Sequence, residues 1–449
     1  MIKKISVTKS VSVPHTRLSR FGHIGVMAGG ITGNMIGQGI IQLGKGQRPS
    51  LRDLMLTPKN INRLTNQLAK LRGAAMKIGQ LISMDTGDFL PPDLSLIMAR
   101  LRENADSMPP KQLKKVLNAE WPKDWLNEFK SFDVHPIAAA SIGQVHRAQL
   151  KDGRNLAIKV QYPGVKESID SDIENAAVLI KLSGLLPSGF ALAPYLNEAK
   201  QQLHMETDYI VEARNLKKFG SLLRGSQNFI TPKVYDNWST QNILAMDYLE
   251  GISIEDSASL PQLERNKIGQ NLIDLTLNEL FIFGVMQTDP NFANYRYQLD
   301  SQKIALLDFG ATRDISAKTM ERYRRLLSAG LSSDYITLMK IAQEIGFFDA
   351  TTSINQRKTI LGMMQLIFEA LNAKGQISFG DHAIPKQLQE LVFELIKDQF
   401  MPPPLPIEIL LLQRKFGGIF LLCAHIGACL LYTSPSPRDV EESRMPSSA

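Results

Sequence analysis

Cysteine is nearly absent from this chain: Cys423 and Cys429 are the two it has in 449 residues. Two thiols exclude a disulfide-stapled scaffold and any zinc site built from cysteine alone. The seven histidines are scattered without ligand spacing, which argues against a histidine-based metal centre. Negative charge is missing from residues 1–52, where eight basic residues stand without one Asp or Glu. No basic stripe interleaved with aromatics follows in the body, so nucleic acid is not an expected partner. No short internal repeat is visible. Nor is the chain short of apolar residues: 44% hydrophobic and 21% charged are globular values and exclude bulk disorder.

What is present is unevenly placed. The length suggests about three domains, or one two-lobed unit with extensions. The formal charge of +7 resolves into an arm of +8 and a body, residues 53–428, with 41 charges of each sign. Such an arm fits an anionic membrane lipid as partner. Within it, Phe21–Leu43 has no Lys, Arg, Asp or Glu over 23 positions. Gly25, Gly29, Gly33 and Gly37 recur there every fourth residue, along one helix face of the kind that packs helices in lipid. Membrane association is expected, with a second copy of the chain as one partner for that face; a flexible linker is the alternative. The tail, 429–449, is Ser- and Pro-rich, contains CLLYTSPSPRD, and resembles a translated sequencing adapter. It is expected to be non-native, with a disordered native tail as the alternative, and resequencing the source locus decides.

The expected organisation is the arm (1–52), a helical extension (53–130), a small lobe (131–250), a helical lobe (251–428) and the tail. Thr57-Pro58 starts a long amphipathic helix to about Met84, with shorter helices near 93–103 and 110–119. Ile142–Leu150 and Leu156–Tyr162 are strands joined by Lys-Asp-Gly-Arg, a hairpin signal. Helices are expected over 165–182 and 194–223, strands over 232–238 and 242–249, and mostly helix after Pro261, with one strand at 303–307. This is a two-lobed α+β arrangement.

Five features in order carry chemistry: Lys159 at the end of a strand, an acidic helix with Glu206, Asp208 and Glu212, the strand end Met246-Asp247-Tyr248-Leu249, the loop from Asp289 to Asn294, and Asp308-Phe309-Gly310. Phosphoryl transfer from ATP needs such parts: a lysine for the α/β-phosphates held by a helix glutamate, a loop base with an Asn five residues on, and a further magnesium carboxylate. Hard oxygen ligands suit Mg²⁺. Singly, each residue reads as a solvated or capping group; the order makes the signal. No Gly-x-Gly-x-x-Gly loop precedes Lys159, where Ala138-Ala139-Ala140-Ser141 stands instead, and Gln287-Thr288-Asp289 replaces His-Arg-Asp.

With these motifs the sequence, from about residue 50 to 425, resembles the UbiB family of atypical kinases, and within it the ADCK-type branch. The branch is suggested by Asn291-Phe292-Ala293, where many bacterial members have His-Pro-Gly. The resemblance implies an atypical protein kinase-like fold with an N-terminal helical extension, binding of ATP and Mg²⁺, and support of ubiquinone (coenzyme Q) biosynthesis at a bacterial or mitochondrial inner membrane. Lipid-like quinone precursors or coenzyme Q biosynthesis proteins are the implied partners. It implies Asp289, Lys159 and Glu212 as catalytic residues. Ala138–Ser141 and Met246–Leu249 fall at the nucleotide, and Asn294 and Asp308 at the metal. Lys77-Ile-Gly-Gln80 and Glu206-Thr-Asp208 match regulatory motifs, with Glu206 binding Lys77 and Glu212 left for Lys159. A non-catalytic, nucleotide-switched lipid-binding scaffold is the alternative.

Overall fold

The computed structural model describes residues 68, 71, 73–86, 108–140, 142–182, 192–372, 376–379, 383–398, 400, 403 and 405–431. The arm, the Gly-spaced segment 21–43, Ser141 and most of the tail lie outside these residues. The described chain forms two compact units, one from residues up to Lys218 with Pro232–Tyr248, the other from Phe219–Thr231 with Leu249 onward.

In the first unit, α1 (Gly73–Thr86) and α2 (Pro110–Glu120) precede an antiparallel sheet made by β1 (Phe129–Phe132), β2 (Ala138–Ala139), β3 (Gly143–Leu150) and β4 (Asn155–Gln161). After α3 (Val165–Leu182), α4 (Ala193–Glu206) and α5 (Tyr209–Leu222), the short β5 (Phe229–Ile230) belongs to the second unit, and β6 (Ile243–Asp247) returns to complete the order β1-β3-β4-β6 with β2 on β3. The turn expected between β3 and β4 is present, with Gly153 at φ +91°, where a side chain would be strained. Trp121, Trp125 and Phe129 lie in one buried cluster with Leu156, Ile158 and Val160, while α1 packs on α3 and α4. Where strand is expected over 232–238, a single bridge at Val234 and a 3₁₀ turn, Asp236–Trp238, occur instead.

The helix expected over 194–223 is broken. Glu206 ends α4, Thr207 Oγ1 donates to the His204 carbonyl at 2.7 Å, and Asp208 Oδ1 accepts from the Ile210 amide at 3.0 Å. Short polar side chains that bond local backbone in this way favour helix ends. Gln161 of β4 donates to the Thr207 carbonyl at 2.8 Å and so ties the break to the sheet.

A buried relay joins the extension to β3. The Met108 amide donates to Gln144 Oε1 at 2.7 Å, Gln144 Nε2 lies 2.8 Å from His146 Nε2, and His146 Nδ1 lies 2.8 Å from the Asp133 carbonyl. A carbonyl only accepts, so Nδ1 carries the proton and Nε2 accepts from Gln144. Burial pushes the imidazole pKa down to about 4. The unfolded chain therefore binds a proton between about pH 6.5 and 4 that the folded chain refuses, and stability falls as pH falls through that window, by about 3 kcal/mol at most. Urea unfolding of wild type and His146→Leu between pH 7 and 4.5 checks this: the stability difference between the two is expected to change with pH, and a constant difference refutes the assignment.

The second unit continues with β7 (Ile252–Ser253), α6 (Gln262–Asn278), a π turn (Glu279–Phe283), β8 (Val285–Gln287), β9 (Tyr295–Gln298), β10 (Lys303–Leu306) and β11 (Thr312–Asp314). Helices α7 (Ala317–Leu331), α8 (Tyr335–Ile345), α9 (Ile354–Asn372), α10 (Ala383–Lys397) and α11 (Ile407–His425) follow, with β12 (Gln376–Ser378) paired to β13 (Cys429–Leu431). The sequence suggests one strand here; the structure has a sheet of order β5-β10-β9-β7 and a β8–β11 pair. Paired strand reaches Leu431, the third residue of the segment set apart as tail. Among the described residues no helix is long and apolar enough to cross a membrane.

Candidate functional site

In the first unit, β4 is buried along both faces from Leu156 to Gln161. Lys159 within it is therefore enclosed, at 7% exposure, where an ordinary strand lysine would face water. Its charge is met by Glu212 on α5, whose carboxylate oxygens lie 2.8 and 2.9 Å from Lys159 Nζ. The Tyr209 ring centroid is 5.1 Å from the same ammonium. Burial of both partners means that neither can lose the other cheaply.

The break between α4 and α5 separates two acidic residues of opposite assignment. Glu206, before it, lies 2.6 Å from Lys77 Nζ of α1; Glu212, after it, holds Lys159. Asp208 is the cap of α5. Gln80 continues α1, and its side chain lies outside the described residues. Gly79 is buried within that helix, which suits close packing against a neighbour.

Ala138 and Ala139 pair with Val145 and Gln144 in β2–β3 and are exposed. Neither they nor Ala140 take positive φ, so the backbone there is one that alanine tolerates. Gly143 does have a steric reason: a Cβ on it would fall 2.4 Å from the Val160 carbonyl oxygen. Met246 is buried in β6. Asp247 is engaged structurally, accepting from Tyr235 Oη at 2.6 Å and the Lys233 amide at 2.9 Å, and Tyr248 carries Arg147 over its ring at 4.4 Å. Leu249 belongs to the second unit.

In the second unit, the loop after β8 brings Asp289 and Asn294 together. Asn294 Nδ2 donates to the Asp289 carbonyl at 3.2 Å, which directs the amide nitrogen inward and leaves Oδ1 as the acceptor. Asp308 follows β10, and its Oδ1 accepts from the Gly310 amide at 3.0 Å. Asn294 and Asp308 border the same small cavity of about 10 Å³. Phe309 is buried and its ring lies 4.8 Å from that of Phe219.

No motif in the sequence marks Arg414 and Lys415 of α11. Arg414 Nη2 lies 2.6 Å from Asp289 Oδ1. Lys415, 1% exposed, has Glu279 Oε2 at 3.4 Å and Tyr295 Oη at 3.1 Å. Burial pushes the Glu279 carboxyl up to about 7 against the pull of Lys415; for Lys415, the attraction of Glu279 and Tyr295 outweighs burial and holds its pKa above the usual lysine value.

Among the described residues no cluster of three His, Cys, Asp or Glu could hold a metal by protein ligands alone. One carboxylate and one amide oxygen are a donor set for Mg²⁺, which keeps waters and takes substrate phosphates to complete its shell. The residues present fit that ion.

A lysine-bearing antiparallel sheet in one unit and a mainly helical second unit with this loop place the chain in the class of two-lobed, protein kinase-like folds, here with N-terminal helices added. The ABC1 atypical kinase-like domain matches residues 100–342. The chain belongs to that family, the UbiB/ADCK/COQ8 atypical kinase-like proteins. It is 38% identical over 428 residues to Atypical kinase COQ8, mitochondrial, of Saccharomyces cerevisiae, covering 95% of this chain and 85% of that one. It is 36% identical to Atypical kinase COQ8B, mitochondrial, of Danio rerio, covering 94% and 68%. A solved structure of Mycobacterium tuberculosis Rv3197 with erythromycin shares the fold at a TM-score of 0.58 and 22% identity, covering 83% of this chain and 94% of that one.

Proposed function

We propose that the protein is a Mg-ATP-dependent atypical kinase or ATPase that supports ubiquinone biosynthesis at a mitochondrial or bacterial inner membrane, without general protein kinase activity. The observation that carries the reading is the enclosed Lys159, held through both oxygens of Glu212. In this reading Lys159 meets the α/β-phosphates as a point charge and Glu212 fixes its ammonium. Asn294 and Asp308 would hold the metal, which would supply charge neutralisation at the phosphates. Asp289 receives the proton of an attacking hydroxyl or water at its carboxylate. Ala138–Ser141 and Met246–Leu249 would line the nucleotide. The extension is pinned by Lys77–Glu206, which favours a small lipid-like acceptor over a protein one. The coenzyme Q role comes from the family resemblance and the membrane from the basic arm, for which anionic lipid is the matching surface.

One observation favours a second reading, a nucleotide-switched lipid-binding scaffold: Arg414 occupies an oxygen of the residue assigned as base. Phosphate release from ATP by the purified protein, with Mg²⁺ and with or without anionic vesicles, separates the two. Mg-dependent release, raised by vesicles, is expected; Mg-ATP binding with no release selects the scaffold. Ala139→Gly is expected to change the ratio of ADP to ATP affinity by loosening the loop, and an unchanged ratio in equilibrium titrations removes that role for alanine.

A further inference from the structure

Helix α11 touches the loop between β8 and β9 at three places. Arg414 is paired with Asp289 inside the loop. Lys415 Nζ reaches both of its ends: Gln287 Oε1, just before the loop, at 3.4 Å, and Tyr295 Oη, just after it, at 3.1 Å. One turn further on, a Cβ at Gly418 would fall 2.3 and 2.4 Å from the ring carbons of Pro290, so the helix and the loop approach as closely as glycine allows. Behind the helix, Glu279 on the π turn faces Lys415 at 3.4 Å. We propose that α11 is a positioning element for the loop carrying Asp289 and Asn294, with Lys415, backed by Glu279, as its central positioning residue.

Four features support this over ordinary core packing. A buried ammonium is expensive, and an apolar side chain of similar length would fill the space with no charge to desolvate. Lys415 joins the residues on either side of the loop, Gln287 and Tyr295, to one point, as a staple would. The Lys415–Glu279 pair also borders the cavity shared by Asn294 and Asp308, so a shift of the pair changes the walls around both. Single-turn π segments within helices recur at functional sites, and the one here presents Glu279.

What the loop does rests on the proposed function; that α11 positions it does not. The test therefore reads loop order and turnover separately, in Lys415→Met, Lys415→Met/Glu279→Leu and Gly418→Ala. Lys415→Met strands the buried Glu279 and lowers the melting temperature; removing both charges restores it. Amide exchange at Thr288, Ala293 and Asn294, which now donate to Ala311, Asn291 and Asn291, is expected to quicken about tenfold in the double variant and in Gly418→Ala, with α8 amides unchanged. The turnover number for ATP falls about tenfold in both, with KM within about twofold of wild type, as misplacement of a reacting group predicts. Wild-type loop exchange in the refolded double variant overturns the proposal, as does return of turnover together with stability. Should the double variant not fold, Gly418→Ala decides by the same exchange readout. If the wild type releases no phosphate, the kinase reading fails while loop exchange still decides the positioning role.

Discussion

Asp308→Asn is expected to weaken Mg-ATP binding by roughly 100-fold while leaving the melting temperature within a few degrees of wild type. The two halves of that expectation have different origins. The fold is spared because the Asp308 bond that needs keeping, Oδ1 accepting from the Gly310 amide at 3.0 Å, is one that an asparagine carbonyl oxygen can make equally well. Binding is lost because the substitution removes the formal charge that a divalent cation needs most, leaving two neutral amide oxygens at positions 294 and 308. Calorimetric titration with ATP checks it, run once with Mg²⁺ and once with EDTA. The loss should be confined to the Mg²⁺ arm. Wild-type Mg-ATP affinity in the variant would remove Asp308 from the metal site.

The second large effect falls on stability. Lys159→Met leaves the Glu212 carboxylate, 3% exposed, without its ammonium, and truncating one partner of such a pair costs about 3–5 kcal/mol. A urea unfolding curve should show a lower midpoint, with the stability extrapolated to water down by that amount. Lys159→Arg keeps a positive charge and most of the stability, yet its planar fork is a poor replacement for a compact ammonium, and ATP turnover should fall about tenfold. Unchanged unfolding in Lys159→Met would mean that Glu212 finds another partner. Unchanged turnover in Lys159→Arg would take Lys159 away from the phosphates.

The first unit was more legible than the second, for physical reasons. The hairpin of β3 and β4 announces itself by the Lys-Asp-Gly-Arg turn between two short β-type runs, and the helix over 165–182 has the bounds its period suggests. Lys159 and Glu212 were paired through the family resemblance, which leaves Glu212 for Lys159, and they do meet at 2.8 and 2.9 Å. The break at Thr207–Asp208 was missed although its signal was present: two polar residues of the capping kind stand directly before Tyr209. The sheet in the second unit gave no such signal. Strands β5 and β7 are two residues each, too short for any alternation to show. Arg414 and Lys415 were silent for another reason. Their contacts with Asp289 and Gln287 span 125 and 128 residues of sequence, and nothing local in an apolar helix names so distant a partner. Gly418 in that helix stands where the backbone meets Pro290 of the loop, and only a glycine leaves room there.

The strand order of the first unit also bears on how the protein is made. Strand β4 is apolar or buried on both faces, and its second edge is covered by β6, whose residues leave the ribosome roughly 90 positions later. At ordinary synthesis rates, that edge stays unpaired for about 5–20 s, with the 219–231 excursion emerging meanwhile. An uncovered edge of this kind recruits other strands. Synthesis of this chain should therefore lean on chaperones during that interval, and fragments ending before Asp247 should aggregate where the full chain does not.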